Sequence, residues 1–235
     1  IPNEMSMWRP FWGIWNALWL LLGRHECAAC EEPLAEGYRQ GPLCVDCFCR
    51  CEANPDEPTD LHPDAPPLRS AFVYDGPLSH ALLLLKWQGR DDLALPLGRL
   101  LTPLLAELAT QHDWIVPVPL HRSRLRERGY NQSTLLAQEA LRAVTPPAAR
   151  LHPGLLIATR ATTAAHHLGR SARLARVRSR FGVPKAAEAK VRGRRVLLID
   201  DVVTTGATVT ACAQALRAAG AGHVTALSLL RVVRE

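Results

Sequence analysis

Two aspartates followed by a turn rich in threonine and glycine form the clearest chemical motif in the sequence. The run Val196-Leu-Leu-Ile-Asp-Asp-Val-Val-Thr-Thr-Gly-Ala-Thr208 begins with four aliphatic residues, a pattern typical of a buried parallel strand. Asp200 and Asp201 come at the carboxyl end of that strand, where open α/β sheets bind their ligands. The turn after them leads into a helix predicted over 208–219. We therefore expect a ligand site here.

The two halves of this motif suit different parts of one ligand. Backbone N–H groups at a turn before a helix bind phosphate, and the hydroxyls of Thr204, Thr205 and Thr208 add donors. Asp200 and Asp201 would repel a phosphate but can accept hydrogen bonds from vicinal ribose hydroxyls. The combination matches ribose 5-phosphate. The predicted substrate-binding residues of the turn are Val202, Val203, Thr204, Thr205, Gly206, Ala207 and Thr208.

The sequence lacks the fingerprints of two other phosphate-binding classes. Neither G-x-x-x-x-G-K-[ST] nor G-x-G-x-x-G occurs, which argues against a nucleoside triphosphatase and against a dinucleotide-binding protein.

The spacing of the cysteines predicts a metal site near the N-terminus. Six of the seven cysteines lie between Cys27 and Cys51. Two C-x2-C pairs separated by thirteen residues are the pattern of a zinc ribbon, so one structural Zn²⁺ is expected on Cys27, Cys30, Cys44 and Cys47. Cys49 and Cys51 leave the fourth ligand open. A disulfide framework would need an oxidising compartment, and no signal-peptide cleavage site is evident, so we expect a cytoplasmic protein.

The first 23 residues contain an apolar stripe at helical spacing. Tryptophans and leucines recur every three or four residues and predict an amphipathic helix over 1–23. Its apolar face would pack on the rest of the protein or bind a partner or a membrane surface. The apolar stretch is too short for a transmembrane helix, and none is expected.

The remainder of the chain divides into a linker and one larger domain. After the ribbon, assigned to 24–52, residues 53–67 are rich in Pro, Asp and Glu and are predicted to be a linker. From 68 to 235 short apolar runs alternate with longer amphipathic ones, which predicts a parallel sheet with helices on both faces. These runs are 71–74, 78–87, 92–110, 114–118, 132–143, 155–157, 171–178, 196–199, 208–219 and 224–230.

Composition and charge narrow the class of protein and of ligand. A content of 48% hydrophobic and 21% charged residues excludes disordered, collagenous and multi-span membrane proteins. The net charge is +6, but residues 120–195 alone hold 17 basic and 3 acidic residues. Such a basic segment suits a phosphorylated ligand or a nucleic acid.

At every position, the run 196–208 resembles the phosphoribosyl-diphosphate motif of type I phosphoribosyltransferases. A zinc ribbon followed by Leu85-Lys-Trp-Gln-Gly89, Val116-Pro-Val-Pro119 and Arg128-Gly-Tyr-Asn-Gln132 resembles the ComF family, whose members join such a ribbon to a phosphoribosyltransferase domain. The resemblance covers residues 24–233. It implies phosphoribosyl diphosphate and Mg²⁺ as ligands and a role in competence and DNA uptake, with other DNA-uptake proteins as partners.

The resemblance also suggests roles for basic residues and leaves two functions open. Lys86, Arg122 and Arg124 are candidates to stabilise the leaving diphosphate, and Asp200, Asp201, Lys86 and Arg122 form the predicted catalytic set. Family members usually carry Gln and Asn where Ala165 or His166, and Arg176, stand here. Two functions therefore stay open. The chain is either a phosphoribosyltransferase with an unidentified acceptor, in DNA uptake or nucleotide-related metabolism, or a non-catalytic module. That module would keep the phosphoribosyl-diphosphate pocket and act in DNA uptake as a scaffold or as a protein that binds single-stranded DNA.

Three further residues have narrower predictions. Arg128 is expected to face solvent or nucleic acid. Asn131 is expected to cap a helix that begins near Gln132. Cys212 is expected to be an inert thiol in the core.

Overall fold

A computed structural model of the 235-residue chain describes residues 26–34, 41–54, 64–144, 149–159 and 180–233. The helices are α1 Val45–Cys49, α2 Gly76–Trp87, α3 Ala94–Ala109, α4 Arg122–Arg128, α5 Gln132–Arg142, α6 Lys185–Val191 and α7 Ala207–Ala218. The strands are β1 Leu68–Val73, β2 Trp114–Pro117, β3 Arg150–Leu151, β4 Ile157–Ala158, β5 Phe181–Gly182, β6 Arg195–Val203 and β7 His223–Arg231. The predicted helix over 1–23 and the predicted run 171–178 lie outside the described residues, as do Ala165, His166 and Arg176.

Five of the strands form one parallel sheet with β6 at its centre. The order is β1-β7-β6-β2-β3, so β6 pairs with β7 on one side and with β2 on the other. The aliphatic residues Val196 to Ile199 are fully buried, as a strand covered on both faces requires. This confirms the predicted interior strand and the parallel sheet.

Helices cover both faces of the sheet. Successive side chains of β6 point to opposite faces, so alternate residues pack against different helices. Leu197 and Ile199 belong to a core cluster that contains the buried faces of α2, α3 and α5. Val196 and Leu198 belong to a second cluster, with the buried residues of α6 and α7. The predicted architecture is confirmed, and Cys212 lies fully buried in the second cluster, as predicted.

Three elements differ from the sequence expectation. Strand β6 continues past Ile199 to Val203, because pairing with β7 extends as far as Val203 and Arg231; Asp200 and Asp201 thus lie within the strand. The stretch 92–110 begins with a 3₁₀ turn, Asp91–Leu93, before α3. The run 155–157 contributes only to β4, which pairs antiparallel with β5 in a separate two-stranded sheet.

The cysteine-rich segment contacts the same side of the sheet as α2. Leu43 and Cys47 share a core cluster with Leu82 and Leu85 of α2. Residues 52–54 run antiparallel to β1, and the Asn54 amide donates to the Ala71 carbonyl at 3.0 Å. The first residues of the predicted linker therefore add to the edge of the sheet. The division at 24–52, 53–67 and 68–235 stays a prediction.

Within the ranges given above, no helix combines the length and the apolar character that a membrane span needs.

Candidate functional site

Asp201 provides a buried acceptor oxygen at the centre of the sheet. Its side chain is almost completely buried, and its Oδ1 atom lies 2.9 Å from Nζ of Lys86 in an ion pair. Its Oδ2 atom is also buried but has no hydrogen-bond partner among the residues that the structure describes. A buried carboxylate oxygen without a donor costs about 1–3 kcal/mol. This oxygen therefore has an unsatisfied acceptor capacity in the described structure.

Asp200 has a different environment from its neighbour. Its Oδ1 atom accepts hydrogen bonds from the Ser133 hydroxyl at 3.2 Å and from the Asp201 amide at 2.9 Å. Complete burial, and secondarily the charge of Asp201, raise the pKa of Asp200 from 3.8 to about 8. At pH values well below 8 the Asp200 carboxyl is therefore protonated and neutral. Under those conditions Asp200 and Asp201 do not form a doubly charged pair.

Lys86 reaches Asp201 because the last turn of α2 is fixed in place. The Tyr130 hydroxyl donates a hydrogen bond to the Leu85 carbonyl, the residue before Lys86. Leu85 is fully buried, so the side chain of Lys86 leaves the helix beside the core. The sequence predicted Lys86 as a diphosphate contact, and the structure brings it to Asp201. A role toward diphosphate stays a prediction.

The predicted phosphate-binding turn lies between β6 and α7. Gly206 is the residue before α7 and has φ of +76°, a conformation that favours glycine. No side chain caps α7 in the described part of the chain, which leaves its first N–H groups for another acceptor. The side chains of Thr204, Thr205, Ala207 and Thr208 are exposed, whereas Val203 is buried and Val202 is half-buried in the core. Because the Val203 side chain is buried, only the backbone of that residue can contact a ligand.

The two predicted diphosphate arginines lie on a short exposed helix. Arg122 and Arg124 belong to α4, whose first turn is capped by Nδ1 of His121, an acceptor for the Ser123 amide. Both arginine side chains are exposed. Their contact with a diphosphate stays a prediction.

Arg128 was expected to face solvent or nucleic acid, but the structure leaves it only half-exposed, with a buried Nε atom. Its guanidinium carbon lies 4.2 Å from the ring centroid of Trp87, the residue after Lys86. Burial lowers the pKa of Arg128, and the charge of Asp201 opposes that effect. The sequence signal for this position was the run 128–132. In the structure, Gly129, with φ of +81°, ends α4 directly after Arg128.

Asn131 ties α5 to the end of β2. Its Oδ1 atom accepts from the Ser133 amide at 3.0 Å, which confirms the predicted helix cap. Its Nδ2 group donates to the Val118 carbonyl at 2.9 Å. The same cap places Ser133 against Asp200, so the run 128–132 positions the aspartate site through the backbone.

The four predicted zinc ligands lie together. The Sγ atoms of Cys27, Cys30, Cys44 and Cys47 are all within 4.8 Å of one another, and those of Cys30 and Cys44 are 3.7 Å apart. Tetrahedral ligands at about 2.3 Å from Zn²⁺ would lie about 3.8 Å apart, whereas a disulfide needs about 2.05 Å. The cluster suggests a zinc site.

Cys49 and Cys51 lie outside the cluster. Cys49 is exposed, and the Cys51 thiol donates to the Cys47 carbonyl at 3.4 Å. Burial and the neighbouring thiols raise the pKa of Cys47 to about 12. A divalent cation would supply the positive charge that a cluster of thiolates requires.

Comparison with protein families and known proteins identifies relatives of this chain. The family model described as Phosphoribosyl transferase domain matches residues 128–232. DNA utilization protein YhgH of Salmonella typhimurium is 34% identical over 216 residues, which cover 88% of this chain and 90% of that protein. Its Escherichia coli K12 counterpart is 36% identical over 167 residues, 68% of this chain and 70% of that protein. Competence protein F of Haemophilus influenzae is 29% identical over 67% of this chain and 69% of that protein.

Among solved structures, glutamine phosphoribosylpyrophosphate amidotransferase from B. subtilis matches with a TM-score of 0.40 and 19% identity, covering 62% of this chain and 30% of that chain. That likeness is too low to support any conclusion. The sequence relatives are closer, and the match to the Salmonella protein covers 88% of this chain. A phosphoribosyltransferase-type fold preceded by a four-cysteine cluster is also the arrangement that the sequence predicted, and the chain belongs to the ComF family.

Proposed function

We propose that the chain binds phosphoribosyl diphosphate together with Mg²⁺ at the carboxyl end of β6, and that it acts as a phosphoribosyltransferase in the use or uptake of DNA. The observation that supports this most is the Oδ2 atom of Asp201, buried and without a donor in the described residues. The other oxygen of this carboxylate, Oδ1, is held by Lys86, so the orientation of Oδ2 is defined. A ribose hydroxyl would supply the donor that this oxygen lacks.

The electrostatics of the site are compatible with an anionic sugar phosphate. Lys86 offsets the charge of Asp201, and the raised pKa keeps Asp200 neutral over most of the range below pH 8. The ligand's phosphate would therefore not meet two uncompensated carboxylates. The N-terminus of α7, which no described side chain caps, and the exposed threonine hydroxyls at 204, 205 and 208 supply neutral donors a few residues further along the chain.

Magnesium would enter with the ligand. The free Asp201 oxygen is of the ligand type that Mg²⁺ prefers, and it would hold the ion directly or through water. When bound, Mg²⁺ neutralises charge on the leaving diphosphate. In the transfer itself the C1–O bond breaks with its electron pair leaving on diphosphate, and the acceptor atom forms the new bond to C1 and loses its proton. We assign the role of diphosphate contacts to Arg122 and Arg124 on α4.

Zinc has a separate and structural role in this proposal. Cys27, Cys30, Cys44 and Cys47 would hold it, and all four thiols would be ligands with no position left for a substrate. Clustered free thiols need a reducing compartment, so we place the protein in the cytoplasm.

A second candidate function is a non-catalytic module that binds single-stranded DNA. Trp87 is 59% exposed with Arg128 stacked on its ring, and the exposed arginines at 122, 124 and 126 lie on the adjacent α4. An exposed aromatic ring beside a row of cations is the usual platform for single-stranded nucleic acid. The relatives named for DNA utilization and competence favour this candidate as well. Other DNA-uptake proteins would be its partners.

Calorimetric titration with phosphoribosyl diphosphate, with and without Mg²⁺, tests the proposal. We expect Mg²⁺-dependent binding by the wild type and at least a tenfold loss in Asp201→Asn, because one charged acceptor is worth about 1.5–3 kcal/mol. Asp92→Asn, which alters an exposed ion pair with Arg90, is the matched control and should bind like the wild type. Equal affinity of Asp201→Asn and wild type, or no binding by the wild type, would refute the proposal.

Two further assays separate the enzyme from the binding module. Diphosphate release in the presence of a panel of bases reports transfer. For the module, Trp87→Ala should weaken binding of a single-stranded oligonucleotide by about 1–3 kcal/mol without changing its salt dependence. Arg124→Ala should instead lower the slope of log affinity against log salt by about 0.7.

A further inference from the structure

Arg231 is a partly buried cation that lacks a compensating acid in the described structure. It is the last residue of β7, and its Nε atom is buried with no acceptor among the described residues. Arg69 and Arg128 also have buried Nε atoms without an acceptor, but Arg69 forms an ion pair with Glu107 at 2.7 Å and Arg128 lies over Trp87. Burial lowers the pKa of Arg231, and no described acidic group offsets that effect. A guanidinium in this state favours an anionic partner.

The sheet places Arg231 beside the predicted phosphate-binding turn. Arg231 pairs in register with Val203, and the Val232 amide donates to the Val203 carbonyl at 2.9 Å. Residues paired in register on parallel strands project to the same face of a sheet. Val203 packs in the cluster that contains Val209 of α7. Arg231 therefore leaves the sheet on the face that carries α7, next to the residue that precedes Thr204.

The turn itself offers only neutral donors. Backbone N–H groups and threonine hydroxyls carry no charge, and Lys86 is already paired with Asp201. A phosphate monoester carries a charge of about −1.5 to −2 at pH 7, and a guanidinium binds phosphate oxygens in a bidentate manner. We propose that Arg231 is the cationic side chain that binds the phosphate monoester held by residues 204–208. The inference rests on the proposed function and adds a ligand contact that the motif does not contain.

A purely structural role for Arg231 makes a different prediction. The carboxyl end of β7 is held by a backbone hydrogen bond, in which the Tyr74 amide donates to the Arg231 carbonyl at 2.6 Å. Substitution of the side chain leaves that bond available. A side chain that only covers the end of β7 would change thermal stability when replaced, but it would not change affinity for a phosphate.

Titration of the full-length chain with ribose 5-phosphate, and separately with phosphoribosyl diphosphate and Mg²⁺, tests the inference. We expect Arg231→Gln to weaken both ligands by about 10- to 100-fold, the range for a charged hydrogen bond, and Arg231→Lys to lose less because it keeps the charge. Arg217→Gln is the matched control. It removes an exposed guanidinium from the far end of α7, where Arg217 contacts the Asp64 carbonyl, and it should not alter either affinity.

The outcomes distinguish this inference from the proposed function. If Asp201→Asn weakens phosphoribosyl diphosphate but Arg231→Gln binds both ligands within twofold of the wild type, only the Arg231 assignment is wrong. If the wild type binds neither ligand, the proposed function and the inference both fail. Should Arg231→Gln not fold, Arg231→Lys decides: wild-type affinity with a lowered melting temperature would show a structural role and overturn the assignment.

Discussion

The raised pKa of Asp200 predicts a specific dependence of stability on pH. Below about pH 4 the carboxyl is protonated in both the folded and the unfolded chain. Between about pH 4 and pH 8 the folded chain retains a proton that the unfolded chain has lost, since folding raises the pKa from 3.8 to about 8. The folded state then binds more protons, so its free energy of unfolding falls as the pH rises. The stabilisation from protonated Asp200 is fully present below pH 4 and is lost as the pH passes 8.

Replacement of Asp200 by Asn removes this dependence. One proton of difference corresponds to at most about 1.4 kcal/mol per pH unit. The amide keeps an acceptor oxygen for the Ser133 hydroxyl and the Asp201 amide, so the fold should be retained. We therefore expect Asp200→Asn to gain stability relative to the wild type as the pH rises from 5 to 8, by about 0.5–1.4 kcal/mol per unit.

Urea unfolding at several pH values measures this difference directly. Asp92→Asn serves as the control, because its carboxylate lies in an exposed pair with Arg90 and should show no comparable divergence from the wild type. Parallel curves for wild type and Asp200→Asn, or a gain in stability of the wild type relative to Asp200→Asn above pH 5, would refute the assignment of a protonated Asp200.

Two other predictions concern the cysteine cluster and the packing of the helices. Elemental analysis should find one Zn²⁺ per chain. The variant Cys30→Ser should lose the ion and Cys49→Ser should keep it, because Cys30 belongs to the cluster and Cys49 does not. Retention of zinc by both variants would contradict the ligand set. Gly98→Ala should lower the free energy of unfolding by about 1–3 kcal/mol, because its Cβ would lie 2.7 Å from Cβ of Glu139 and 2.9 Å from the Leu136 carbonyl oxygen. Gly154→Ala, with open space at that position, should change it by less than about 1 kcal/mol in a urea titration.

The sequence was sufficient for the sheet and the cysteine cluster because both depend on local patterns. Four consecutive aliphatic residues have no polar face and must lie in the interior, as Val196 to Ile199 do. Two C-x2-C pairs need only a loop between them to meet. The helix cap at Asn131 follows from the same kind of short-range chemistry.

Contacts between distant segments could not be predicted in this way. The ion pair of Lys86 with Asp201 joins residues 115 positions apart, and the stacking of Arg128 on Trp87 depends on how α4 sits beside the end of α2. The inclusion of Asp200 and Asp201 in β6 depends on pairing with β7, whose extent no local pattern shows. Oδ2 of Asp201 and Nε of Arg231 have no hydrogen-bond partner among the described residues, which became apparent only from burial in the folded chain.

A crystal structure of the chain with phosphoribosyl diphosphate and Mg²⁺ tests the central proposal most directly. We predict that the ligand lies at the carboxyl end of β6, with a ribose hydroxyl donating to Oδ2 of Asp201 and the phosphate monoester on the N–H groups of residues 204–208. A ligand bound elsewhere, or a phosphate group that avoids the turn before α7 at saturating concentration, would contradict the proposed function.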